Sequence, residues 1–483
     1  MKESSSTLAI GPIDRRIPLS QQIYDRLRRA IDARMLRPGA RLASARALAS
    51  ELGVARGTVE AAYQRLAGEG YVLARGPAGT IVSPHLSQQP APAPAKSATN
   101  VRPPADHDAM VVNPEPPLPL QLGIPGLDAF PRKLWSRLAT RRIRATSPAE
   151  LSYSDARGHL PLRQAIAAYL LVSRGVPCRA EQILVTGGYR ASLALILQTL
   201  LHQRDRVWIE DPCYPPTRTL LQRAGAMPCA VPVDDEGLVV VEGIRRTPKA
   251  RLAVVTPSHH APLGVSMSMP RRLQLLDWAS RQEAWIVEDD YDGEFHYHGP
   301  PLPALKSRDT VDRVIYAGSF SKVLFPALSL GYLVLPERLT EPFAASVRTW
   351  PNYVPRVTQA IVADFIDEGH FSRHLKKMRA LYAHRRALLV AALIDAFGGR
   401  VTIDLARGGM HLVARFSSRA GDETLARRAQ RAGLNCQALS PRYLGQTKQE
   451  GLLMGFTNVA TAQEAARLAA ALRDALAVGN VSG

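Results

Sequence analysis

Tyr316-Ala-Gly-Ser-Phe-Ser-Lys-Val-Leu-Phe-Pro-Ala-Leu-Ser-Leu-Gly-Tyr332 decides how the second half of this chain is read. The apolar run Arg313-Val-Ile-Tyr-Ala317 before it has the composition of a buried strand. Lys322 follows in a Ser-rich turn, which places its amine at the rim of a sheet beside apolar walls. Desolvation there favours the neutral amine, the form that can attack an aldehyde. Matching pieces lie upstream: an acidic strand end at Asp289, a glycine pair at Gly187 and Gly188, and an aromatic at Tyr214.

Around that stretch, from residue 118 onward, helical patterns alternate with short apolar runs such as Gln182–Thr186, Arg206–Glu210, Arg251–Val255 and Ala284–Glu288. This alternation predicts an α/β unit with a mostly parallel sheet covered by helices on both faces. Ligands bind beyond the carboxyl ends of the strands in such sheets, and Asp289, Lys322, Gly187 and Tyr214 fall at or just after such ends. From about residue 358 a long helical pattern runs through Phe365 and His384. A smaller mixed unit follows it, closed by an Ala-rich helix over Thr461–Val478.

Upstream, Ile23, Leu27, Ile31 and Met35 recur every four residues, predicting an amphipathic helix. Ser44 can cap a second helix that Gly53 stops. A third runs from about Arg56 to Ala67. Two short helices around Gly53-Val-Ala55, followed by strand patterns at 70–75 and 80–82, predict a winged helix-turn-helix over residues 15–84. The third helix of such a unit enters the major groove, which makes Arg46, Arg56, Gly57 and Thr58 the candidate DNA contacts, with Gly79 and Thr80 on the wing. The other reading is a small helical domain with a solvated basic face. Residues 85–117 are rich in proline and poor in large apolar side chains, and read as a semi-rigid linker.

The formal charge is +19, from 61 basic and 42 acidic residues. That excess points to an acidic partner such as nucleic acid, or to an arginine-rich solvated surface. Residues 1–84 carry 13 basic and 7 acidic side chains, so most of the excess lies elsewhere. No apolar run approaches the roughly 18 residues that cross a bilayer, and the N-terminus lacks the apolar core of a secretion signal, so a cytoplasmic protein is expected. Cys178, Cys213, Cys229 and Cys436 fit neither a disulfide framework nor a metal site and read as buried thiols.

The second unit has candidates for each thing pyridoxal phosphate needs. Lys322 would form the imine. Asp289 would face the pyridine nitrogen, with Tyr291 on the phenolic oxygen. Tyr214 would stack on the ring. Gly188, with Tyr189 and Arg190 behind it, would offer backbone N–H groups to the phosphate, and Ser319 and Ser321 flank the lysine. The acids Glu288, Asp290 and Asp292 could equally be a solvated loop or a metal site, though no histidine pair converges with them.

Residues 19–82 resemble the winged helix of GntR-type regulators in Pro38-Gly-Ala-Arg-Leu42, Leu48-Ala-Ser-Glu-Leu-Gly53, Thr58-Val59 and Glu69-Gly-Tyr71. From about residue 120 the chain is similar to fold-type I, aspartate-aminotransferase-like proteins. The set Glu210-Asp-Pro-Cys-Tyr214, Thr256-Pro-Ser-His259, Glu288-Asp-Asp-Tyr-Asp292 and Ser319-Phe-Ser-Lys322 resembles the MocR/GabR subfamily. The resemblance implies a head-to-tail homodimer that binds operator DNA, carries the cofactor on Lys322, and senses an amine or amino-acid-like effector. It implies a large part at about 118–357 and a small part at about 358–483.

The chain departs from that pattern in several places. Ser329 stands where an arginine usually meets the phosphate, and Arg190 where glutamine is usual. His260 and Ala261 replace a glutamine and an aromatic. Leu452–Phe456 offers no arginine for a substrate carboxylate, which speaks against amino-acid turnover. Ala43 replaces a proline, and Ala55 the serine that would cap the recognition helix. Two alternatives stay open: a working aminotransferase with an accessory DNA-binding domain, and a regulator that has lost the cofactor.

Overall fold

A computed structural model describes residues 17–76, 79–88, 116–297, 303–350 and 354–477. The chain divides into two compact units, Met1–His107 and Asp108–Gly483. Most of the expected linker lies outside the described residues.

The first unit holds α1 (Leu19–Asp32), α2 (Ala45–Leu52), α3 (Arg56–Gly68) and the antiparallel pair β1 (Val72–Ala74) and β2 (Thr80–Val82). Ile23, Leu27, Leu48, Val59, Leu66, Val72 and Val82 form its core. Ser44 caps α2, its Oγ accepting from Ala47 N–H at 3.1 Å, and Gly53 ends that helix at φ 61°. Ala55 gives α3 no side-chain cap. The four-residue period fails at its last member: α1 stops at Asp32, Arg34 turns left-handed at φ 56°, and Met35 is exposed while Leu36 fills the core. Leu42 N–H donates to Thr80 O at 2.8 Å, and Arg41 pairs with Ile81, so the segment before α2 is laced to the wing.

The second unit is built on an eight-stranded sheet of β3 (Ile183–Thr186), β4 (Arg206–Asp211), β5 (Met227–Asp234), β6 (Gly237–Leu238), β7 (Leu252–Val255), β8 (Trp285–Asp290), β9 (Val314–Ser319) and β10 (Gly331–Val334). The order is β3-β10-β9-β8-β7-β4-β5-β6. The ladders from β9 through β8, β7 and β4 to β5 are parallel, while β10 runs against both neighbours and β6 against β5.

Alternation explains the uninterrupted apolar runs. Val207, Ile209, Val254, Val287 and Ile315 enter one core, whereas Trp208, Ala253, Val255, Ile286 and Val314 enter the other. Side chains two apart share a face of a strand, so a strand covered on both sides must be apolar throughout. One face is covered by α6 (Tyr189–Leu200), α7 (Pro215–Arg223) and α10 (Thr340–Thr349), the other by α8 (Val240–Arg246) and α9 (Met269–Arg281). The helices α4 (Arg132–Ala145) and α5 (Leu160–Arg174) both pack on α11 (Arg356–Asp367).

The pattern expected as one long helix from about 358 is two helices. Gly369, at φ 70°, separates α11 from α12 (His370–Phe397), because no L-residue enters that conformation without strain. A four-stranded antiparallel sheet follows, of β11 (Val401–Asp404), β12 (His411–Phe416), β13 (Gln437–Ala438) and β14 (Leu452–Gly455), with α13 (Asp422–Arg431) and α14 (Ala462–Ala477). Cys213 and Cys436 are buried thiols pushed up to about 12, but Cys178 and Cys229 are only half-buried. No helix among the described residues is long and apolar enough to cross a membrane.

Candidate functional site

The parallel strands β4, β7, β8 and β9 end on one edge of the large sheet, and the turn after β9 carries Lys322. Its Nζ donates to Gly123 O at 2.9 Å. A Cβ on Gly123 would lie 2.5 Å from that nitrogen, and Gly123 itself sits at φ 70°, so only glycine seats the lysine in this way. Burial holds the Lys322 amine below its ordinary value, opposed by the charges of Asp292 and then Asp289. Asp289 is driven well above the ordinary carboxylate range by burial, and further by Asp290 and Asp292. A cation placed against Asp289 reverses that tendency, because it favours the charged carboxylate.

Behind this pair, Tyr291 Oη lies 2.9 Å from His259 Nδ1, which is also 3.1 Å from Asp292 Oδ2. Tyr189 and Tyr214 face one another with ring centroids 6.0 Å apart, and Tyr189 Oη bonds Thr217 Oγ1 at 2.7 Å. Both Tyr189 and Tyr291 feel the charge of Asp289. Gly188 precedes α6 at φ 93°, and a Cβ built on it meets nothing within 4 Å. The first N–H groups of α6 have no acceptor within the helix. Arg190 is exposed, yet its charge bears on Lys322. Ser329, exposed and left-handed at φ 48°, has its Oγ 3.4 Å from Gly187 O, beside the same turn.

Lys322, Asp289, Tyr291, Tyr214, Tyr189, Gly188 and Arg190 are thus set around one strand-end cleft. Ser319 and Ser321 are half-buried, and Ser321 N–H donates to Ser319 Oγ at 3.3 Å. The acidic run divides by environment: Glu288 accepts from Leu305 and Lys306 N–H, Asp290 pairs with Arg174 at 2.7 Å, and only Asp289 and Asp292 bear on the lysine.

The sequence reading missed Arg442. β14 offers no arginine, but the short helical turn Ser440–Arg442 supplies a buried one. Its Nη2 donates to Gln437 Oε1 at 2.6 Å, and its guanidinium, lowered by burial, lies within electrostatic reach of Tyr214, Cys213 and Tyr291. The segment is docked on the end of β4: Cys213 N–H donates to Arg442 O at 3.0 Å, and Leu444 and Gly445 N–H donate to the Asp211 carboxylate at 2.7 and 2.9 Å.

In the first unit, Arg46 and Gly57 are exposed, and Arg56 is exposed but paired with Glu60 at 2.7 Å along the same helix. Thr58 is half-buried, its N–H donating to Ala55 O. Gly79, at φ 88°, turns the wing next to Thr80, and a Cβ there would press on the Arg41 guanidinium at 3.0 Å.

The cleft fits pyridoxal phosphate. A desolvated amine, a buried carboxylate to which no cation is bonded among the described residues, and open space over a glycine at a helix start are what the imine, the pyridine nitrogen and the phosphate require. A winged helix carried with a fold-type I unit of this kind defines a class of transcriptional regulators that borrow an aminotransferase fold.

Residues 130–470 match the family "Aminotransferase class I and II" and residues 19–82 the "Bacterial regulatory proteins, gntR family". The chain is 38% identical over 454 residues to the probable rhizopine catabolism regulatory protein MocR of Rhizobium meliloti, covering 92% of this chain and 91% of that one. It is 34% identical to the pyridoxine biosynthesis transcriptional regulator PdxR of Corynebacterium glutamicum, covering 90% and 91%. Among solved structures it resembles the kynurenine aminotransferase of Pyrococcus horikoshii, with TM-score 0.69 and 24% identity over 76% of this chain and 92% of that one. The chain belongs to the MocR/GabR-type regulators, in which a GntR winged helix is fused to an aminotransferase-like domain.

Proposed function

We propose that this regulator binds operator DNA through residues 15–84 and, in residues 118–483, holds pyridoxal phosphate on Lys322 to sense an amino-acid-like effector as a homodimer. The bound cofactor supplies an electrophilic carbon that an effector amine can exchange onto. The observation that carries this reading is the desolvated Lys322 amine set against the buried Asp289, with the buried Arg442 within electrostatic reach of Tyr291 and Tyr214 beside them. Asp289 would hold the pyridine nitrogen protonated, and Tyr291 would meet the phenolic oxygen. Tyr214 would cover the ring, and the start of α6 with Arg190 would take the phosphate. Arg442 would receive an effector carboxylate.

An effector that binds two conformations unequally shifts their balance, and this would change how the tethered DNA-binding units are presented. Turnover as an aminotransferase is the second reading, and Arg442 is the observation that favours it. Steady consumption of an amino donor, set against exchange without turnover, separates the two.

The test is the absorbance spectrum of the purified protein with added pyridoxal phosphate, followed by borohydride reduction and peptide mapping. A visible absorbance band trapped on Lys322, and lost in Lys322→Ala, is the expected result. No adduct refutes the cofactor reading. On the DNA side, Arg56→Ala should weaken operator binding and flatten its salt dependence; unchanged affinity removes Arg56 from the interface.

A further inference from the structure

His259 is 5% exposed, and its ring is closely seated. A Cβ on Gly409 would overlap the imidazole, one on Gly264 would lie 3.1 Å from Nε2, and His411 packs edge-on with centroids 5.5 Å apart. Nε2 is buried without a hydrogen-bond partner among the described residues. Nδ1 lies between Tyr291 Oη at 2.9 Å and Asp292 Oδ2 at 3.1 Å. Asp292 is 1% exposed; among the described residues neither of its oxygens meets a well-aligned donor, although the Tyr291 hydroxyl lies within its reach and competes for it.

Two arguments fix the tautomer. A lone pair on Nδ1 would face the Asp292 carboxylate, while a proton there is attracted to it. A proton on Nε2 would leave a buried N–H unpaired, which costs more than a buried lone pair. Nδ1 therefore carries the proton, and Tyr291 Oη can accept from it. A tyrosine oxygen that accepts from His259 has its own hydrogen left to donate elsewhere.

We infer that His259, held in the Nδ1–H form by Asp292, is a positioning residue that makes Tyr291 a hydrogen-bond donor toward the cofactor's phenolic oxygen. The inference rests on the proposed cofactor site. Without His259 the Tyr291 hydroxyl is free to turn to Asp292, whose carboxylate lacks an aligned donor, and the phenolic oxygen loses its partner. That oxygen then becomes more basic and holds the proton it shares with the lysine-derived nitrogen to higher pH. The other titratable groups facing this group are Asp289, Glu210 and Arg442 around Tyr291, His260 and His411 around His259, and Lys322, Asp289, Glu294 and Tyr297 around Asp292. All of them stay in place in the variants below.

The experiment is a spectral pH titration of the cofactor-loaded full chain, with trapping on Lys322 checked for each protein. In His259→Leu the midpoint at which the long-wavelength band is lost should rise by about half to one pH unit, the amount one hydrogen bond supplies. Tyr291→Phe should raise it similarly, and the double variant no further. His259→Asn, whose amide N–H can occupy the place of Nδ1–H, should stay near the wild-type midpoint and shows that the fold survives the change.

An unmoved midpoint in a trapped His259→Leu protein overturns the inference. So does an equal additional shift in the Tyr291→Phe background, which would mean that His259 acts through its charge alone. A wild-type protein with no adduct overturns the cofactor reading, and this inference with it.

Discussion

Ser329→Arg tests how the phosphate end of the cleft is completed. Ser329 lies next to Gly187 at the turn that opens α6, and contributes a hydroxyl where the family resemblance implies a cation. A guanidinium there would add a charge-assisted hydrogen bond to a phosphate, worth about 1.5 to 3 kcal/mol in net terms. The position is exposed, so solvent screening places the gain just below that range, at about 1.4 kcal/mol or tenfold in affinity. The backbone adds no new cost, since Ser329 already occupies the left-handed region at φ 48°. The assay is equilibrium titration of the apo protein with pyridoxal phosphate, followed by tyrosine and tryptophan fluorescence at low and high salt. The Ser329→Arg protein should bind about tenfold more tightly, and most of that gain should vanish in high salt. Equal or weaker binding would refute the placement of the phosphate at this turn, and would move it away from Gly188 and Arg190.

Two further outcomes follow from the site. Arg442→Leu should weaken an amino-acid effector by about ten- to a hundredfold while leaving its decarboxylated amine and the Lys322 adduct nearly unchanged; equal losses for both ligands would exclude a carboxylate contact. His411 and His260 are depressed by burial to about 4 and about 3. Their folded-state values lie below the unfolded one, so the stability they contribute is complete above about pH 6.5 and is lost as pH falls toward those values. Glu210, raised by burial to about 7, acts oppositely, its contribution fading as pH rises from about 4.5 to about 7. Urea unfolding of His411→Gln should therefore lose less stability than wild type between pH 7 and pH 4.5, by on the order of 1 to 3 kcal/mol; parallel curves would show that His411 does not stay neutral in the fold.

The sheet was readable because its strands are apolar on both faces, and the lysine because it follows such a strand within a few residues. Asp289 and Tyr291 were legible for the same local reason. Ser44 and Gly53 marked the ends of α2, since caps act on the nearest backbone groups. Met35 misled because a four-residue period has no term for Arg34, whose left-handed turn ends α1. Gly123, His259 and Arg442 show where local reading stops. Gly123 matters only through the Lys322 amine that crosses over it, and His259 only through its approach to Tyr291 and Asp292. Arg442 becomes a site residue because the small part folds back onto the end of β4, and nothing in Leu439-Ser-Pro-Arg-Tyr443 announces that docking.

The docking of that segment also gives the cleft a mechanical side. The chain that presents Arg442 is fastened to the large sheet by Cys213 N–H on its carbonyl and by the two oxygens of Asp211 on the N–H groups of Leu444 and Gly445. Asp211 closes β4, and Tyr214 stands three residues beyond it at the start of α7. A ligand that drew the Arg442 guanidinium inward would therefore pull on a clasp between the two halves of the domain, with Tyr214 on the same piece of chain. Filling the proposed site would load that joint through three backbone N–H groups, so its stiffness would set how far the load travels.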